Sequence, residues 1–186
     1  SLLLGHATSG TLSTAIRNTG VGIVSLDALT EGDNNTAVGY NSATSLTTGS
    51  SNTAIGSTAL VTSTNSSNNT AVGLNALRDA TSGSNNTAIG SQAGLVMSGG
   101  SAAYNTLLGV QAGDNISSGA GNVVIGSVDV DTATGDRQLK IAGNDGSTTT
   151  TWISGSSSGV VTFNAANVTQ QALTSSSNAV AWDASA

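Results

Sequence analysis

The chain has 186 residues, of which only 8% are charged and 3% aromatic; it carries a formal net charge of −6 and has neither proline nor cysteine. Typical soluble domains are about 25% charged, so Ser, Thr, Asn and Gly must supply the polar surface here. The composition excludes disulfides and thiolate metal sites. It also excludes a basic nucleic-acid patch, since Arg17, Arg78, Arg137 and Lys140 are scattered, and a membrane-spanning helix, which needs roughly 18 consecutive apolar residues.

From the first residue a five-residue phrase recurs, always closing on glycine. Its copies are Ser1-Leu2-Leu3-Leu4-Gly5, Asn18-Thr19-Gly20-Val21-Gly22, Asn35-Thr36-Ala37-Val38-Gly39, Asn52-Thr53-Ala54-Ile55-Gly56, Asn69-Thr70-Ala71-Val72-Gly73, Asn86-Thr87-Ala88-Ile89-Gly90, Asn105-Thr106-Leu107-Leu108-Gly109 and Asn122-Val123-Val124-Ile125-Gly126. The starts at 1, 18, 35, 52, 69, 86, 105 and 122 lie 17 apart except for one step of 19. A fixed short period marks a solenoid or fibre. The opening residues are already in register with it and no secretory signal precedes them, as expected for a segment of a longer polypeptide.

Each phrase reads as a short β-strand ending in a tight turn, with Gly where a Cβ would be blocked. A second, weaker strand is expected at Thr58-Ala59-Leu60, Asn75-Ala76-Leu77 and Gln92-Ala93-Gly94, followed by a Gly/Ser/Asn turn. Two strands and two turns make a flattened coil. Eight coils stacked about 4.8 Å apart give a rod roughly 38 Å long.

Strand alternation places Thr36 and Val38 on one face and Asn35, Ala37 and Gly39 on the other. The aliphatic fourth position (Val38, Ile55, Val72, Ile89, Leu108, Ile125) is the expected interior. Asn35, Asn52, Asn69, Asn86, Asn105 and Asn122 are expected to stack as an amide ladder. One thin layer of buried aliphatics offsets little of the entropy of ordering each coil. Self-association through the small Ala/Gly face is therefore expected, most simply around a three-fold axis.

The period fades after Gly126. Strands are expected at 138–142, 150–154 and 159–163, with Asn144-Asp145-Gly146 as the first turn. Residues 168–173 read as a short helix and 179–182 as a strand. The rare bulky residues Trp152, Phe163 and Trp182 all fall in this part, where they would fill the axis of a thin trimer. The chain thus divides into a repetitive β-roll (1–126), a hairpin-rich connector (127–163) and the start of a further segment (164–186).

The phrases from Asn35 to Gly90 resemble the head repeats of trimeric autotransporter adhesins. They resemble more closely the related repeats of bacteriophage tail fibres, above all in the stretch from Thr81 to Gly94. The likeness covers about residues 18–126. The segments Asp136-Arg137-Gln138-Leu139-Lys140-Ile141-Ala142-Gly143 and Thr151-Trp152-Ile153-Ser154-Gly155 look like those that follow such repeats in fibre proteins. The resemblance implies a left-handed parallel β-roll with three chains side by side. Departures are Thr at 36, 53, 70 and 87, where adhesin heads often have an apolar residue, a longer coil, and two extra residues near 97–103.

Candidate chemistry is sparse. His6 is the single histidine, so neither a Ser-His-Asp nor a His-metal set can be built, short of three copies meeting in a trimer. Asp129, Asp131 and Asp136 lack calcium-loop spacing and read as solvated turn carboxylates. Triplets such as Asn34-Asn35-Thr36, Asn68-Asn69-Thr70 and Asn85-Asn86-Thr87 fit the glycosylation pattern but arise from composition. The single Thr column at 19, 36, 53, 70, 87 and 106 lacks the paired ranks an ice-binding face needs. A glycosidase needs paired carboxylates, and the repeat between 34 and 113 offers only Asp79 on its face.

The sequence therefore predicts an all-β, homotrimeric fibre segment: a parallel β-roll of about eight 17-residue coils followed by a short hairpin-rich region. No enzyme, cofactor, metal, nucleic acid or membrane insertion is expected. The Asn, aliphatic and Gly columns are its structural residues, including Gly39, Gly56, Gly73, Gly90, Gly109 and Gly126. The expected role is structural, in a phage tail fibre located in the virion. Its partners would be its own copies, other fibre or virion proteins, and a host-surface glycan or protein met through a tip. The alternatives are a bacterial trimeric surface adhesin head or a subunit of a non-viral extracellular filament.

Overall fold

The computed structural model describes residues 1–4 and 14–163. His6, the short helix expected at 168–173, the strand expected at 179–182, and Trp182 lie outside them. The described chain is all-β. Eleven strands form one sheet in sequence order. They are β1 (Leu2–Leu4), β2 (Thr19–Val21), β3 (Thr36–Val38), β4 (Thr53–Ile55), β5 (Thr70–Val72), β6 (Thr87–Ile89), β7 (Thr106–Leu108), β8 (Val123–Ile125), β9 (Leu139–Asn144), β10 (Thr149–Gly155) and β11 (Val161–Phe163).

Strands β1 to β9 pair in parallel, each with the next. Seven turns separate β1 from β8: the strand starts 2, 19, 36, 53, 70, 87, 106 and 123 give six steps of 17 residues and one of 19. The ladder then runs one strand beyond the phrase, with Leu139 of β9 opposite Val123. Beyond β9 the pairing turns antiparallel through β10 and β11. The turn expected at Asn144-Asp145-Gly146 joins β9 to β10. There the Thr148 and Ser147 N–H groups hold the Asp145 carboxyl below its ordinary range.

Among the described residues each coil contains one strand, not two. The return leg at Asn41–Ala43, Thr58–Leu60 and Asn75–Leu77 is a turn whose first and third residues have φ between 48° and 60°. Left-handed residues at alternate positions send successive N–H groups to opposite neighbours. The Asn41 N–H donates back to Ile23 O (3.0 Å) and the Ala43 N–H forward to Ala59 O (2.9 Å). The leg meets its backbone hydrogen-bonding needs without the extended geometry of a strand.

The alternation of faces holds, but its inside and outside are reversed from the expectation. Ala37, Ala54, Ala71, Ala88, Leu107 and Val124 are buried in the coil, whereas Val38, Ile55, Ile89, Leu108 and Ile125 are 37–46% exposed. The Ala face is therefore closed off inside each chain and is not open for association. The reason lies across the coil, where Leu26, Leu60 and Leu77 of the return leg, and Leu46, Met97 and Ile116 three residues past it, are all fully buried. A thin coil filled from that side leaves the strand room mainly for Ala.

In four successive coils a large side chain at one of two inward positions goes with a small residue at the other. Leu60 accompanies the small Ser63 and Leu77 accompanies Ala80, whereas Gly94 accompanies Met97 and Gly113 accompanies Ile116. A Cβ on Gly94 would lie 2.8 Å from both Met97 Sδ and Leu107 Cδ1. The phrase-ending glycines have a different duty. Gly56 has φ +134°, and a Cβ there would lie 2.3 Å from the carbonyl oxygen of Gly73, the same residue one coil on. Both the conformation and the stacking exclude a side chain.

Candidate functional site

The Asn column forms the expected ladder. All six of its members from Asn35 to Asn122 are buried, as is Asn18 before them. Along the ladder each Oδ1 accepts the backbone N–H of the next Asn, as in Asn35 to Asn18 (2.8 Å), Asn69 to Asn52 (3.0 Å) and Asn122 to Asn105 (2.9 Å). From Asn18 to Asn105 each Nδ2 donates to a turn carbonyl, as Asn35 does to Gly49 O (2.9 Å) and Asn69 to Gly83 O (2.9 Å). Several donate again to the Oδ1 below, including Asn52 to Asn35 at 3.1 Å. The amides thus tie strand, turn and adjacent coil together with their polar atoms satisfied.

The ladder ends on Gln138. Its N–H donates to Asn122 Oδ1 (2.8 Å), and its Nε2 donates to Thr132 O (2.8 Å) and Gly135 O (2.9 Å). Two positions on, Lys140 occupies the column that Ala and Val fill in earlier coils, directly opposite Val124. Its Nζ reaches Asp131 Oδ1 at 2.7 Å. A neutralised charge and an amide close the core, as polar terminal repeats do in solenoids. The sequence signal was available: aligning Gln138 with Asn122 places Lys140 under Val124.

The other face of the sheet looks outward and carries two rows that cross all eleven strands in register. One row is Leu4, Val21, Val38, Ile55, Val72, Ile89, Leu108, Ile125, Ile141, Ile153 and Phe163. The second is Leu2, six threonines from Thr19 to Thr106, Val123, Leu139, Gly155 and Val161. Ile23, Tyr40, Leu74 and Val110 border it and are 52–62% exposed. Neither row contains a charged residue. Monomeric proteins rarely leave contiguous apolar surface larger than a few hundred Å² uncovered. At about 4.8 Å per strand, this stripe runs roughly 48 Å.

The predicted carboxylates do not converge. Asp131 is paired with Lys140, Asp136 Oδ1 accepts the Ala120 N–H (2.8 Å), and Asp79 is bound by Arg78 through two contacts of 2.8 and 2.6 Å. Among the described residues no group of three His, Cys, Asp or Glu is placed to hold a metal. Asp131, Asp136, Gln138, Ser154 and Thr162 line an open cleft of about 490 Å³ between the last coil and the hairpin. Asn34 and Asn68 of the glycosylation-like triplets are exposed, with φ of 58° and 60°. Asn tolerates that region better than most residues, which accounts for its recurrence there.

One site was missed in the sequence. The Asp114 carboxyl is pushed up to about 6, first by burial and then by the hydrogen bond and charge of Asp129. The two lie 15 residues apart on successive coils, a separation close enough to the period to have been read as stacking.

These features define a class: a parallel β-solenoid with an amide-laddered interior and an uncharged outward sheet face. In comparisons with known proteins, no family model, curated protein or solved structure matches the chain.

Proposed function

We propose that the chain is a stiff, non-enzymatic segment of a homotrimeric bacteriophage tail fibre, holding a host-binding tip at a distance from the virion. The observation that carries this reading is the outward face, an uncharged apolar stripe repeated on every strand of an elongated stack. Such a face calls for cover along its whole length, and a second or third copy has the same length and pitch. Bending the stack would strain the strand ladder, the return-leg ladder and the Asn ladder together, which is the property a shaft needs. The likeness of the repeats to those of phage fibres selects the setting.

Sedimentation of the chain at micromolar concentration tests the assembly, with a trimer expected and a stable monomer overturning it. Antibodies raised against the chain test the setting on intact particles. They should decorate the fibres in electron micrographs, and labelling of host cell surfaces instead would sink the virion assignment.

A further inference from the structure

Side-by-side packing through a periodic face leaves its own register open. From β2 to β7 the two outward rows are Thr and Val, Ile or Leu at every level. Sliding one copy past another by one strand, about 4.8 Å, again sets Thr against Thr and aliphatic against aliphatic. Only one level of contact is lost, leaving one strand uncovered at each end. A repetitive face therefore supplies attraction while specifying register weakly.

The C-terminal end of the same face is different. The Thr row gives way to Val123, Leu139 and Val161, and the aliphatic row ends on Phe163. The register of β9 with β10 shifts between Thr151 and Ile153, leaving Trp152 bulged. The Trp152 ring then lies over Gly143, where an added Cβ would sit 2.5 Å from the ring. Gly143 is two residues beyond Ile141 and shares its face. Trp152 is 54% exposed and Phe163 59%. No strand one level away repeats this arrangement.

We infer that Trp152, Ile153 and Phe163 form a register key, which docks against the same residues of a second copy of this chain lying parallel to the first. The inference rests on the assembly proposed above. The occupant is a second copy because the key continues the same in-register row that the solenoid presents. Copies packed along that row bring their keys to one level only when unslipped. The uncharged rows offer nothing to a partner recognised by charge.

The test uses the full chain with Asn65→Cys, at an exposed turn away from the stripe, carrying a spin label, the protein having no other cysteine, and reads distances between copies. The parent should give one narrow distance. Trp152→Ser with Phe163→Ser should remain oligomeric yet give several populations, offset along the rod by multiples of about 4.8 Å. Ile89→Thr, in the periodic stretch, should weaken association about tenfold while keeping one narrow distance. The two substituted side chains are more than half exposed, so the coils should keep their circular dichroism. A narrow distance in the double variant, a monomeric double variant, or a broad distribution in the parent overturns the key. A monomeric parent overturns the assembly reading itself.

Discussion

The coils and the terminal hairpins belong to one sheet but are stabilised in opposite ways. In the coils the strands from β2 to β8 have an inner face that is covered, with Asn52 and Ala54 flanking Thr53, for example. In the hairpins Ala142 is buried, whereas β11 is exposed along its length. A solenoid coil brings its own cover through the return leg. A hairpin that extends the same sheet has no return leg, so its apolar residues wait for another surface. Regularity therefore lets the coils cover their inner face from within, although their outer face stays as open as that of the hairpins.

The strongest way to break the contrast is to attack the coil stack. Gly56→Ala should destabilise the fold by more than about 3 kcal/mol, combining a disallowed conformation with a backbone clash, as read by urea denaturation. The equivalent change at Gly146, where φ is +91° but nothing lies within 4 Å, should cost distinctly less. Equal losses at the two sites would mean that conformation, not stacking, sets the requirement.

Asn69→Ala should come next, at about 2–3 kcal/mol, because the buried Asn86 N–H loses its acceptor at 2.9 Å. Its amide proton should exchange faster in hydrogen-exchange measurements, together with those of the two adjoining coils. Loss confined to one residue would argue against a cooperative ladder.

A smaller effect concerns pH. Asp114 binds its proton more tightly when folded, near 6 against an ordinary 3.8. Its contribution to stability is full below the ordinary value and is lost as pH rises through about 6. The melting temperature should therefore rise modestly on acidification from pH 7.5 to 5, and Asp114→Asn should flatten that rise. A fall over the same range in the parent, absent in the variant, would reverse the sign of the argument.

The smallest expected change is a gain. Thr58 is β-branched with φ 56°, at a coil position where Asn41 and Asn75 stand elsewhere. Thr58→Asn should stabilise the fold by about 0.5 kcal/mol, relieved strain being partly offset by the lost hydrogen bond to Asn75. Thermal melts that show a loss would place the hydrogen bond above the strain.

The strand phrase, its glycines and the Asn ladder were legible because each is a local demand repeated in every coil. Which face is inside was not. Alternation separates Thr36 and Val38 from Asn35 and Ala37, but nothing in the strand says which pair meets the core. That is settled across the coil by Leu60 and Leu77, and those residues sit at φ of 54° and 50°, a conformation Leu does not advertise. Only Gly94 and Gly113, at the same place in later coils, hinted that the leg turns instead of extending. The outward stripe was hidden for the same reason, since its residues had been assigned to the interior.

The step of 19 residues has a consequence of its own. Two extra residues enter the coil before Asn105, yet Asn105 still donates to Asn86 Oδ1 at 3.0 Å and Thr106 still pairs with Thr87. The added length is taken up between Ser98, still stacked 17 residues on from Thr81, and Ala102, which stacks on Gly83. That stretch is a permissive graft point, at which chain length can vary while the neighbouring levels keep their bonds. A solenoid built this way can acquire side loops by simple insertion without redesigning the stack that carries them.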